Sequence, residues 1–409
     1  MSDVIQHWRF DPLDTWFFRE ARGFDTSGSN ALSSLFPPPA RTVAGALRTL
    51  IGEQQGVDWA RFADAGEYAD LKQIIGSGDA LGALCLTGPY PLWNDARLYP
   101  VPLHLLKKDD AYRFLTPGKE PVLCDLGAPH PLIPDPSPPG EKGEKAPLPS
   151  GERGWGEGRE DQETRILPVK LPCLTEPLPG AKPLEHGWLT GENLQRVLSG
   201  QPPTAVIKAA DLYAEEPRLG IARNNRQRTG IDGLLYQTRH LRPRAGLAIG
   251  VGVQGLPPAW RPAPGVIRFG GEGRASAARI GTPPVPFLPP EPKDNRLLLM
   301  LLTHADFGRD WFPPGFGAEQ RDGVRIWRGT INDVTLTIEC AVIGKAAREG
   351  GWDLLKQQPR PVKSLVPAGS VYFCTVAGEA QAAARALHGQ CIGHDTALGR
   401  GELAIGTWQ

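Results

Sequence analysis

More than one residue in five of this 409-residue chain is glycine or proline, 49 and 42 of them, where average usage is about 12%. Proline lacks an amide donor and glycine loses the most backbone freedom on ordering, so neither sustains a long helix. Such a chain folds into short strands, bulges and many turns, with few helices. Its length suits two or three domains at about 100–200 residues each, every one large enough for a core. Hydrophobic residues at 40% and charged residues at 22% are ordinary for globular proteins and exclude wholesale disorder.

Other classes fall away quickly. The longest Leu/Met run, Leu297 to Leu302, is far short of the roughly 18 apolar residues a membrane span needs. Met1-Ser2-Asp3-Val4 opens no secretory signal, so a cytoplasmic protein with no membrane partner is expected. The charge balance is zero, 45 basic against 45 acidic residues. That argues against a nonspecific nucleic-acid binder but leaves room for a local basic groove. Cys85, Cys124, Cys173, Cys340, Cys374 and Cys391 form no CxxC pair. Neither a zinc knuckle nor a disulfide framework fits, so buried free thiols, no metal and no cofactor are expected.

Residues 131–162 stand apart, with seven prolines, six glycines and eleven charged residues. They have almost nothing to bury and read as a disordered insertion. Before it, Val4–Phe10 reads as a strand. Arg41–Gln54 reads as a helix with Val43, Leu47, Leu50 and Ile51 on one face, and Pro37-Pro38-Pro39 blocks any extension upstream. A second helix is expected over Asp58–Ile75, strands over 81–90 and 99–106, and a short helix at 190–198 with Thr190 as N-cap. The second half is richer in strands, including RLGIARNN, GLLYQTRHLR, AGLAIGVGV, RLLLMLL, TLTIECAVI and SVYFCTV, followed by an Ala-rich helix at 379–387. Two units of strands with helices on one face predict an α+β fold, for which the ferredoxin-like module is the simplest unit. We divide the chain at 1–205 and 206–409.

No catalytic centre is legible. Gly250-Val251-Gly252-Val253-Gln254-Gly255 matches GxGxxG on paper, but Leu256-Pro257-Pro258 follows where a helix must start to meet a pyrophosphate. Gly118-Lys119 and Gly344-Lys345 lack the hydroxyl of a phosphate loop. His394-Asp395 is an HD pair without the further ligands that a metal phosphohydrolase needs.

Arginine carries the signal. Arg218, Arg223, Arg226, Arg228, Arg239, Arg242 and Arg244 lie between Pro217 and Gly246 with Asp232 as the one acid, and Asn224, Asn225 and Tyr236 among them. Guanidinium groups hold phosphates bidentately and stack on bases, which suits single-stranded RNA. Gly271, Gly273 and Arg274 in GGEGR predict a strand end where backbone amides approach a phosphate. Gly399, Arg400 and Gly401 repeat the arrangement.

Six ordered blocks carry a resemblance: FFREARGF (17–24), FPPPARTVAGALRT (36–49), RLGIARNNRQRTGIDGLLYQTRHLR (218–242), FGGEGR (269–274), VKSLVPAGSVYF (362–373) and LGRGELAIG (398–406). They resemble the third-subunit family of the Cmr module, a RAMP-superfamily component of type III-B CRISPR effector complexes. The likeness spans nearly the whole chain apart from 131–162. It implies two ferredoxin-like (RRM-like) RAMP domains with glycine-rich loops that hold the 5′ tag of the crRNA. It adds Arg19, Arg22, Arg41 and Lys363 to the RNA-binding candidates. The implied partners are the crRNA, the large polymerase-like subunit and the backbone RAMP subunits, with target RNA met only indirectly. The implied role is a scaffold, not a nuclease. The alternatives are a metal-independent RAMP endoribonuclease using His7, His240 or His394, and the tag-binding subunit of another type III subtype.

Overall fold

A computed structural model describes residues 4–21, 31–62, 64, 66–123, 167–224, 226, 227, 229–257, 259, 260, 262–353 and 358–408. The insertion read at 131–162 lies outside them, as do Arg22, Asn225, Arg228 and Cys124.

Two six-stranded antiparallel sheets organise the chain. The first runs in the order Gly265–Arg268, Ala275–Ile280, Gln6–Pro12, Leu247–Gln254, Cys85–Trp93, Ala96–Arg97. The helix Ala40–Gln54 covers it, its buried Val43, Leu47, Leu50 and Ile51 meeting Phe10, Ile249, Val251 and Ile267. Each such fully buried aliphatic side chain contributes about 1.5–3 kcal/mol. The GxGxxG stretch is the central strand here: Gly250 lies flat under the Tyr90 ring, where a Cβ would collide.

The second sheet runs Gly317–Arg321, Val324–Ile331, Val334–Val342, Val371–Val376, Arg296–Leu301, Leu403–Gly406. The strand Arg296–Leu301, paired on both edges within this sheet, explains the unbroken Leu/Met run. Leu297, Leu299 and Leu301 enter one core with the helix Ala380–Leu387, while Leu298 and Met300 enter another with the helix Gly191–Leu198. A strand covered on both faces has no side to leave polar. Thr190 caps the Gly191–Leu198 helix, its Oγ1 accepting from the Asn193 amide at 3.4 Å.

Three expectations need correction. The helix expected over Asp58–Ile75 is confined to Ala69–Ile75, because Gly66 and Tyr68 adopt positive φ (84° and 52°) and interrupt the upstream turns. The division at 205/206 does not separate the sheets. Strands Leu247–Gln254 and Ala275–Ile280 belong with Gln6–Pro12, and the Gly191–Leu198 helix packs on the second sheet. Of the thiols, Cys340 and Cys374 are buried and Cys85 and Cys391 half-buried, but Cys173 is exposed. Strands predominate and helices are few, as an α+β chain rich in turns requires. No helix among the described residues is long and apolar enough to cross a membrane.

Buried histidines couple this packing to pH. Burial pushes the His104 imidazole down to about 3. Burial, then the charges of Arg218 and Arg274, push His240 down to about 4. Unfolded histidine titrates near 6.5, so between about pH 6.5 and 4 the unfolded chain binds protons that the folded one refuses. Stability is therefore full above about pH 6.5 and declines as pH falls through that window. The urea midpoint should drop from pH 7.5 to pH 5, and less so in His104→Phe; equal midpoints at the two pH values would rule this out.

Candidate nucleic-acid interface

The arginine-rich stretch forms one long hairpin, Tyr213–Asn224 against Thr229–Pro243, in which Glu216 faces His240 and Ala214 faces Arg242. Alternation along the strands puts Glu216 and Arg218 on the face that carries His240 and Arg242. Glu216 binds both Arg218 (2.8 Å) and Arg242. Asp14, from a distant part of the chain, accepts from Arg218 (3.3 Å), Arg242 (3.2 Å) and Arg274 (3.0 Å). The Thr15 amide, then Arg218 and Arg242, hold the Asp14 carboxyl below its ordinary range. Hydrogen bonds from Arg242 and Arg218 do the same for Glu216. Three guanidinium groups over two carboxylates leave the cluster positive. An open polar depression of about 390 Å³ adjoins it, lined in part by Arg9, Asp14, Arg242 and Arg244.

An extended segment, residues 14–21, leads away from this cluster. Trp16 exchanges two 2.8 Å backbone hydrogen bonds with Leu241. The Phe17 ring stacks on the His240 imidazole at 4.9 Å. On the other side Leu35 donates to the Phe18 carbonyl and Glu20 to that of Ser33. Exposed Arg19 lies along this segment and bridges to Ser34. At its far end the Ala21 methyl lies 3.1 Å from where a Gly350 Cβ would sit.

There the second group of candidates gathers. Lys363 binds Asp306 (2.7 Å) and Asp395 (2.9 Å). Burial works against its charge, but those two hydrogen-bonded carboxylates raise its pKa overall. Arg41 reaches Asp395 (3.4 Å) and Asp79 (3.1 Å). The structure thus joins Arg274 to the hairpin and Arg41 to Lys363, with residues 14–21 between the two groups.

Several candidates have other roles. Arg400 is buried, 3% exposed, and paired with Glu349 at 2.6 Å, so it faces the interior and not an RNA backbone. Its Nε and Nη1 are buried without a partner. Gly399 and Gly401 are buried too, with φ of 75° and 72°; a Cβ on either would collide with the backbone at Gly88 or Ile392. Their amides donate to Thr396 and His304. They are glycine for close packing, not for phosphate access. The Gly271 amide is likewise engaged, donating to the Phe17 carbonyl at 2.8 Å, while Gly273 has a positive φ (65°) and open space around it. Asn224 Oδ1 accepts from the Arg226 and Gln227 amides (3.0 and 3.2 Å), which makes it the former of the hairpin turn. Arg226 is exposed at the tip, and Arg223 pairs with Gly230 in the ladder.

Sequence reasoning missed the carboxylates. Glu215 and Glu216 lie just before the counted window, where the cross-strand register Glu216–His240 could have flagged one of them, but no local signal points to Asp14.

A family model, CRISPR-associated protein (Cas_Cmr3), matches residues 8–408. The chain belongs to that family. The six sequence blocks therefore rest on a true kinship of Cas_Cmr3 chains. Two solved chains are similar to it. One comes from a cryo-EM structure of the Type III-B Cmr-beta bound to cognate target RNA, and the other from the same assembly with AMPPnP in state 1. They share 12% and 13% identity, each at a TM-score of 0.43, covering 90% of this chain and 86% of the other. No curated protein matches.

Removing one partner of a buried ion pair strands the other charge. Arg400→Met should lower the unfolding free energy by about 3 kcal/mol in urea titrations and leave RNA affinity per folded molecule within about twofold. A variant of normal stability and weak RNA binding would return this guanidinium to the interface.

Proposed function

We propose that the chain is a non-catalytic, RNA-binding subunit of a cytoplasmic type III-B effector complex. In this reading it caps the crRNA 5′ tag and docks to the large polymerase-like subunit and the backbone RAMP subunits. The observation that carries it is the basic excess at the hairpin, where Arg218, Arg242 and Arg274 outnumber Asp14 and Glu216. Arg218, Arg242 and Arg274 stand at one end of the extended segment 14–21, and Lys363 and Arg41 beyond the other. A basic excess of this kind attracts the phosphates of a single strand. Each of the two sheets, the first with the helix Ala40–Gln54 and the second with the helices Gly191–Leu198 and Ala380–Leu387, is read as one ferredoxin-like RAMP unit, and the arginine hairpin as an extension of the first.

The competing endoribonuclease needs a histidine that can reach a ribose hydroxyl. His240 is 1% exposed and covered by Phe17, which removes it from that role. His7 Nδ1 is buried without a partner. His394 is exposed, its amide donating to the Asp306 carbonyl, so it is the nuclease candidate to test. Labelled repeat RNA incubated with the purified chain, with and without Mg²⁺, should remain intact; cleavage that disappears in His394→Ala would establish the enzyme instead.

The groove itself is tested by salt. On a single strand each phosphate contact adds about 0.7 to the slope of log affinity against log salt. Arg226→Ala and Arg274→Ala should each flatten the slope for tag RNA by roughly that amount. If both bind like wild type at every salt concentration, the RNA lies elsewhere.

A further inference from the structure

Two residues beyond Gly350 stands an aromatic side chain that no motif singled out. Trp352 is 53% exposed, the most exposed tryptophan among the described residues. Trp8, Trp16, Trp188 and Trp327 are each at most 8% exposed. Trp59, the next most exposed at 40%, packs on Phe62 at 5.1 Å. Trp352 makes no such ring or cation contact with another described residue. An indole face held in water is unfavourable, because the ring carries more apolar area than nearly any other side chain.

The local backbone presents it outward. Trp352–Asp353 pairs with Gln358–Pro359, and Asp353 turns inward to Arg360 at 3.2 Å, so the neighbouring indole takes the opposite face. The strand Ala347–Glu349, two residues upstream, repeats the pattern: Glu349 turns inward to Arg400 while Arg348 is exposed, with no ion pair among the described residues. Arg348 lies across from Ser364, beside Lys363. Between these two strands sits Gly350, where an added Cβ would lie 3.1 Å from the methyl of Ala21, the last described residue of the extended segment.

An exposed indole four residues from an exposed arginine that has no ion pair among the described residues matches the chemistry of single-stranded nucleic acid. Phosphates are held by cations while a base lies on an aromatic face. A protein partner seated on the ring would leave RNA affinity unchanged when the ring is removed, which is the outcome that separates it from a bound base.

Resting on the proposed RNA-binding role, we propose that Trp352 is a base-stacking platform, holding one unpaired base of the bound RNA strand while Arg348 contacts the adjoining phosphate. Stacking is largely independent of salt, whereas the phosphate contact is not. The two residues are therefore separable by experiment.

Binding of short labelled single-stranded tag RNA to the full chain would be followed by fluorescence anisotropy across a salt series. Trp352→Ala should weaken binding about 5- to 100-fold with an unchanged salt slope. Trp352→Phe should retain most of the affinity, and Arg348→Ala should flatten the slope by about 0.7. Abasic substitution at a single tag position should weaken the wild type by a similar factor and have no further effect on Trp352→Ala. Because the ring is half in solvent, the thermal midpoint of Trp352→Ala should stay near wild type. Should that variant fail to fold, Trp352→Phe and the abasic scan of the wild type carry the test. Wild-type affinity in Trp352→Ala, or an abasic effect of equal size in both proteins, overturns the platform. If Arg226→Ala and Arg274→Ala still flatten the slope in that case, the RNA-binding role survives without it. A wild-type chain with no affinity for tag RNA overturns both.

Discussion

The segment 398–406 is the constraint on which the architecture turns. Leu398 enters the core of the first sheet, Leu403 and Ile405 enter one core of the second, and Ala404 enters the other. Nine residues therefore hold three cores in register. They can do so because Gly399 and Gly401 adopt the left-handed region and pass against the backbone at Gly88 and Ile392, where any side chain would collide. Between them Arg400 binds Glu349, and next to them Glu402 binds Arg97 at 2.6 Å, a pair enclosed by Tyr90 and Tyr99. Buried pairs of this kind add little net stability over an apolar packing, but they penalise any register that leaves one charge alone.

That packing explains both what was legible and what misled. Periodicity located the helix Ala40–Gln54 and the short helix capped by Thr190, because each has one buried face and a local end signal. It located the buried strand Arg296–Leu301 for the opposite reason, both faces being covered. The glycine-flanked arginine at 399–401 looked like a phosphate loop because glycine serves two ends, open amides and close backbone approach, and composition cannot separate them. Positive φ with the amides already donating marks the second. The sheets were divided wrongly since strand partners such as Gln6–Pro12 and Leu247–Gln254 are more than 200 residues apart, and nothing local encodes that pairing.

The zero net charge has a similar resolution. A count of seven arginines against one acid described a sequence window, whereas the fold brings in Asp14, Glu215 and Glu216. The hairpin surface is consequently a mesh of paired charges with a modest positive excess. Exposed pairs of this kind contribute about 0–1 kcal/mol each, so they lock little by themselves. They do hold long side chains in an ordered array, which lowers the entropy lost when a polyanion takes their place.

From the proposed function follows a division of labour between the two ends of the segment 14–21. Near the hairpin the guanidinium groups are pre-arranged by carboxylates, and a phosphate bound there would compete with Asp14 for Arg218, Arg242 and Arg274 at once. Competition with a fixed internal anion weakens affinity but rewards a ligand that places its charges in matching positions. At the other end Lys363 is engaged by two carboxylates, while Arg348 is exposed and Trp352 offers an apolar face. In the proposed reading, shape and charge spacing are selected at the hairpin end, and a stacked base at the Gly350 end. The stretch 14–21 between them is tied to the hairpin by Trp16 and to residues 33–35 by Phe18 and Glu20, so the separation of the two ends is set by the fold and not by the ligand.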